Sequence, residues 1–152
     1  MKVILPLAGK GTRLRPHTHS KAKPLLNLAG KTVLGHIIDN IKSQLDIEEF
    51  IFIIGPYQRE VETYIKANFD IKFKCLVQEE PLGPGHAVWS GRSEIKPNDE
   101  LLVVYCDTIF IANLKEIKTS HVPYIHRRMN VCCFQIFQCQ IQLKLHHFFR
   151  IH

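Results

Sequence analysis

The sequence predicts an α/β fold: a mostly parallel β-sheet layered between helices. Three observations carry this. Short apolar runs at residues 3–5, 50–54 and 101–105 show no polar alternation, the pattern of strands covered on both faces. Stretches with helical spacing lie between them. A glycine-rich loop full of cations follows directly on the first run, and strand-to-loop junctions of that kind hold anions on backbone N–H groups.

Taken in order, residues 2–7 read as the first strand and residues 8–23 as the loop. Residues 31–46 place Leu34, Ile37, Ile38, Ile41 and Leu45 on one helical face. Residues 49–54 form a central strand, closed by Gly55 and Pro56. A second helix is expected over 60–69, with Val61, Tyr64 and Ile65 inward. The third strand, 71–77, alternates Lys72 and Lys74 with Ile71, Phe73 and Cys75, so one face is expected in solvent. Residues 80–85 make a turn, 86–93 a short helix and 101–105 a fourth strand. Strands alternating with helices imply right-handed parallel crossovers. Ligands of such sheets bind beyond the carboxyl ends of the strands, and residues 7–13, 78–85 and Asp107 fall there.

The chain has 152 residues, enough for one domain with a core, and a net charge of +6. That charge raises the question of nucleic acid, but its distribution argues against it. Residues 1–118 hold 16 basic and all 14 acidic side chains. The excess comes from the loop and from the residues after 118. Five irregularly spaced cysteines suggest no disulfide framework. No stretch is apolar enough to span a membrane, and Met1 leads straight into a strand. A cytoplasmic protein is therefore expected. His17, His19 and His36 fit no zinc spacing.

The loop fails both common phosphate patterns. A dinucleotide fingerprint needs glycine where Leu14 stands, and a Walker loop ending at Gly30-Lys31-Thr32 needs glycine at Leu25. What remains is Gly9, Gly11, Thr12, Arg13, Leu14, Pro16 and Thr18, followed by Lys23-Pro24. This resembles the signature of the sugar-1-phosphate nucleotidyltransferases, or nucleoside-diphosphate-sugar pyrophosphorylases. Ala22 departs from it, standing where the family has proline.

The resemblance continues through residues 77–87, where Gln78 has an amide able to donate and accept at a base edge. It ends in a third segment, 103–110, around Asp107. Cys106 stands there in place of glycine, which puts a side chain where backbone should approach the substrate. The resemblance implies a three-layer, Rossmann-like sheet of the nucleotide-diphospho-sugar transferase type, incomplete at the C-terminus. It implies nucleotidyl transfer from UTP or dTTP to a sugar-1-phosphate, with pyrophosphate leaving. Arg13 and Lys23 would be catalytic, neutralising phosphate charge. Leu7, Ala8, Gly9, Gly11, Thr12, Gln78 and Gly83 would bind the nucleotide, and Asp107 would hold Mg2+. Such chemistry needs positioning and charge neutralisation more than covalent help. By itself, a lone aspartate past a strand reads as a turn or cap.

The resemblance runs to about residue 118. Residues 119–152 lack Gly, Ala, Asp and Glu and hold three of the five cysteines and five of the nine histidines. They read as an atypical, non-native tail, such as a frame shift would leave, with a strand conceivable over 139–145. Cys132, Cys133, Cys139, His146 and His147 offer a weak zinc pattern. Without further strands, the edge of the fourth is expected to lie uncovered. Two alternatives stand beside an impaired transferase: an inactive nucleotide-binding fragment, and a basic module for RNA or another anion.

Overall fold

The computed structural model describes residues 1–9, 21–80, 82–106, 109–115 and 130–134. The strands are β1 (Lys2–Pro6), β2 (Asn27–Leu28), β3 (Lys31–Thr32), β4 (Glu49–Ile54), β5 (Phe73–Val77), β6 (Glu100–Val104) and β7 (Asn130–Phe134). The helices are α1 (Val33–Lys42), α2 (Arg59–Asn68) and α3 (Pro84–Ser90). Five strands form one sheet in the order β5-β4-β1-β6-β7, and every neighbouring pair is parallel. The expected α/β class holds.

Side-chain alternation splits the apolar strands between two cores. Val3, Leu5, Phe50, Phe52, Ile54, Leu102 and Val104 face α1 and α2, where they meet Leu34, Ile37, Ile38, Ile41, Val61 and Ile65. Ile4, Ile51, Ile53, Leu101 and Val103 face the other way, against Ala87 and Val88 of α3. A strand filled on both faces has no polar position to show, which is why these runs lack alternation. β5 is an edge strand, so Lys72 and Lys74 stay exposed while Phe73 and Cys75 turn partly inward, as expected.

Two expectations change. The helix expected over 31–46 begins at Val33, because Lys31–Thr32 pairs with Asn27–Leu28 in a hairpin. The turn is made by Ala29 (φ 49°) and Gly30 (φ 82°), both left-handed, as a tight hairpin requires. Thr32 then caps α1, its hydroxyl accepting from the Gly35 N–H at 2.9 Å. The edge of β6, expected to be open, carries β7, in register from Glu100 opposite Asn130 to Val104 opposite Phe134. Residues 139–145, the other expected strand, lie outside the described residues.

Beyond β6, the segment 109–115 is tied to α1. Asn40 donates to the Phe110 carbonyl at 3.0 Å, and the Leu114 N–H donates to Gln44 Oε1 at 2.8 Å. At the opposite, amino end of the strands, Lys2 is buried (5% exposed). Its ammonium lies 2.7 Å from Asp99 Oδ2 and donates to the Glu94 carbonyl at 2.7 Å. The hydrogen bond with Asp99 raises the Lys2 pKa above its ordinary 10.5. The same bond holds the Asp99 carboxyl below its ordinary 3.8. A raised lysine stabilises below its unfolded value and stops doing so as pH climbs through the folded one. A depressed aspartate stabilises above its unfolded value and stops as pH falls through the folded one. The pair therefore contributes fully between 3.8 and 10.5.

Lys2→Met should lower the urea midpoint at neutral pH, and the gap to the parent should narrow below pH 3.8. Equal midpoints at neutral pH would show that the pair contributes nothing. Phe52, fully buried between strands and helices, sets the scale of a core loss: Phe52→Ala should cost about 3–5 kcal/mol in the same unfolding measurement.

Candidate functional site

Strand order reverses direction at β1. From β1 the chain builds outward through β4 to β5, then returns to place β6 on the other side of β1. The chain after β1 leads to α1, and residues 109–115, beyond β6, are tied to that same helix. The loop after β1 contains Leu7, Ala8 and Gly9 and returns through Lys23.

Leu7 is buried (3% exposed), and its N–H donates to the Ile53 carbonyl at 2.7 Å. It extends β1 by one residue and turns its side chain into the core. Ala8 is half-buried and Gly9 exposed, and among the described residues nothing lies within 4 Å of where a side chain at Gly9 would project. Gln58, which the sequence reading passed over, fastens this loop. Its Oε1 accepts from the Gly55 N–H at 2.7 Å and its Nε2 donates to the Gly9 carbonyl at 3.4 Å. One side chain thus links the loops after β1 and β4. The Gly55-Pro56 turn at a strand end was the available signal.

Lys23 opens a short 3-10 turn, Lys23–Leu25, anchored by buried Pro24 and Leu25. Its side chain is half-buried and, among the described residues, has no ion-pair partner. Gln78 sits just past β5, on the same carboxyl edge. It is 5% exposed, its N–H donates to the Ile54 carbonyl at 2.8 Å, and its amide nitrogen donates to His86 Nδ1 at 2.8 Å. A longer contact, 3.5 Å, reaches the Gly83 carbonyl. Gly83 has φ 105° and lets the chain enter α3, whose first residue, Pro84, suits a helix start. Gly11, Thr12, Arg13 and Asp107 lie outside the described residues, as do His17 and His19 and the side chains of the tail cysteines and histidines.

Cys106 is 4% exposed and belongs to the same buried cluster as Leu7, Leu25 and Phe110, so its side chain is taken up by the core. Burial pushes the Cys75 thiol up to about 12, which removes it as a nucleophile at neutral pH. His36 contacts the Leu28 carbonyl at 2.8 Å, a link between α1 and the hairpin. Among the described residues, no group of three or more His, Cys, Asp or Glu is placed to bind a metal, and no helix is long and apolar enough to cross a membrane.

The described residues thus form a parallel α/β sheet with Ala8, Gly9, Lys23 and Gln78 in the segments that follow its strands. The chain belongs to the nucleotidyl transferase family, whose sequence model matches residues 2–136. The bifunctional protein GlmU of Methanococcus maripaludis strain C7 is 39% identical over 117 residues, covering 77% of this chain and 27% of that protein. The chain thus spans about a quarter of the length of that curated relative. Among solved structures, a putative glucose-1-phosphate thymidylyltransferase from Bacillus anthracis superposes with a TM-score of 0.70 at 25% identity, over 80% of this chain and 51% of that one. A UDP-glucose pyrophosphorylase complexed with UDP-glucose shares the fold, with a TM-score of 0.68 at 22% identity over 78% and 52% of the two chains. The resemblance to sugar-1-phosphate nucleotidyltransferases is borne out.

Gly83→Ala would force a Cβ onto a backbone at φ 105°. A loss of about 1–3 kcal/mol in unfolding free energy is expected. An unchanged melting temperature would show that the turn relaxes freely.

Proposed function

We propose that this chain carries the nucleotide-binding part of an enzyme that transfers a nucleotidyl group from UTP or dTTP to a sugar-1-phosphate. A phosphate oxygen of the sugar-1-phosphate forms a bond to the α-phosphorus. The bond from that phosphorus to the bridging oxygen breaks, and pyrophosphate leaves with the electron pair. The observation that carries this reading is the placement of Lys23 and Gln78 on one carboxyl edge, flanking the switch-point loop of Ala8 and Gly9.

In this reading Lys23 and Arg13 neutralise the phosphates. A partly buried lysine with no carboxylate partner among the described residues suits that task, because its field is not cancelled before the anion arrives. The backbone around Leu7, Ala8, Gly9, Gly11 and Thr12 cradles the nucleotide. Gln78 meets the base and Gly83 shapes the turn beside it. Magnesium would arrive with the triphosphate and supply charge neutralisation there. Such ions are commonly held by one or two carboxylates plus phosphate oxygens, and Asp107 would supply one of them. Residues 1–118 hold these groups, and Asn130–Phe134 adds an edge strand to their sheet. A cytoplasmic location and small-molecule partners, with no nucleic acid or membrane, complete the proposal.

Calorimetry with UTP and dTTP, with and without magnesium, tests it. Magnesium-dependent binding is expected, and Lys23→Ala should weaken it about 10–100-fold, the worth of a charged hydrogen bond. No heat for either nucleotide on a folded sample would refute the proposal. Salt-sensitive RNA binding without triphosphate preference would favour the basic-module alternative. Pyrophosphate release with a panel of sugar-1-phosphates then separates an enzyme from a chain that binds nucleotide without turnover.

A further inference from the structure

Glu60 lies in the first turn of α2, exposed, and makes no ion pair among the described residues. Its Oε1 accepts from the Ala22 N–H at 2.9 Å, across 38 positions of sequence. Ala22 immediately precedes Lys23 and is 8% exposed. Its carbonyl accepts from the Leu25 N–H at 2.8 Å, closing the turn that carries Lys23. Both backbone polar groups of this residue are therefore held, its carbonyl by the turn and its N–H by Glu60.

We propose that Glu60 is a positioning residue for Lys23. It anchors the returning strand of the phosphate loop to α2, so that the lysine meets the triphosphate from a fixed base. The inference rests on the nucleotide reading above and deepens it. The backbone of Ala22 supports it independently. At φ −59° and ψ 140°, Ala22 has the conformation that a proline ring imposes, near φ −65°. A proline there would hold the backbone without any hydrogen bond, since it has no N–H. Alanine lacks that constraint, and Glu60 supplies it from outside.

A second role for Glu60 has the opposite sign. A carboxylate near a phosphate site repels an anion, over a screened range of about 8–10 Å at ordinary salt. The two roles separate by substitution. Glu60→Gln removes the charge and keeps an acceptor oxygen. Glu60→Ala removes both.

The tether is read by amide exchange at Ala22 in the ligand-free chain. Glu60→Ala should speed exchange about tenfold, the scale of one hydrogen bond, while Glu60→Gln stays near the parent. UTP affinity with magnesium is measured on the same proteins. Glu60→Ala should weaken binding several-fold, and Glu60→Gln should bind at least as well as the parent. Combined with Lys23→Ala, the Glu60→Ala change should have no further effect, because Glu60 acts through that lysine. Adding Ala22→Pro to Glu60→Ala should restore affinity, a rescue that general destabilisation would not show. Unchanged exchange at Ala22, tighter UTP binding by Glu60→Ala, or a full Glu60→Ala effect in the Lys23→Ala background overturns the proposal. No UTP heat from the parent chain overturns the nucleotide reading on which Lys23's role rests. That failure is told apart from failure of the tether by the exchange measurement, which needs no ligand.

Discussion

Everything in this chain hangs from β1. It is hydrogen-bonded along both edges, to β4 and to β6, and covered on both faces, with Val3 and Leu5 on one side and Ile4 on the other. A five-residue strand held in this way has no freedom to slide, because a one-residue slip would exchange its two faces. Its carboxyl end is therefore a fixed point. The loop that leaves it starts at Leu7, still bonded to Ile53, and is pinned further out by Gln58 at Gly9 and by Glu60 at Ala22. Rigidity is passed outward from the core in steps, each by a named hydrogen bond.

Those steps come from β4, from the turn before α2 and from α2 itself. The loop is rich in cations. The Ile53 carbonyl, the Gln58 amide and the Glu60 carboxylate hold its ends, and among the described residues none of them forms an ion pair with Lys23.

Much of this was legible in the sequence, and the reasons are physical. Fully apolar runs at 50–54 and 101–104 point to buried parallel strands because they are too short for a buried helix and the first is closed by Gly55-Pro56. The glycine and lysine positions of the loop are ordered closely enough to point to a family. The hairpin before α1 was missed because two-residue strands carry no periodicity, and Ala29 at φ 49° sits in a conformation its type rarely adopts. Gln58 and Glu60 were missed for another reason. Their roles depend on contacts 49 and 38 positions away, and no local pattern encodes such a distance. The burial of Cys106 was likewise invisible, since a sequence does not say which way a loop side chain turns. β7 was hidden by the odd composition of its segment, although parallel pairing asks only for backbone.

The order of the strands also has a consequence in time. β1 leaves the ribosome before the other described strands, yet its second neighbour, β6, ends at Val104, and β6 in turn meets β7 at Asn130–Phe134. During synthesis β1 can pair with β4 early, leaving its other edge and part of the Ile4 face exposed for the whole of the intervening chain. Parallel pairings between distant segments close slowly, because the loop entropy is lost before the contacts form. The nascent protein therefore holds an open strand edge in water until its last described strands emerge, and that interval, more than the finished fold, is where aggregation competes with assembly.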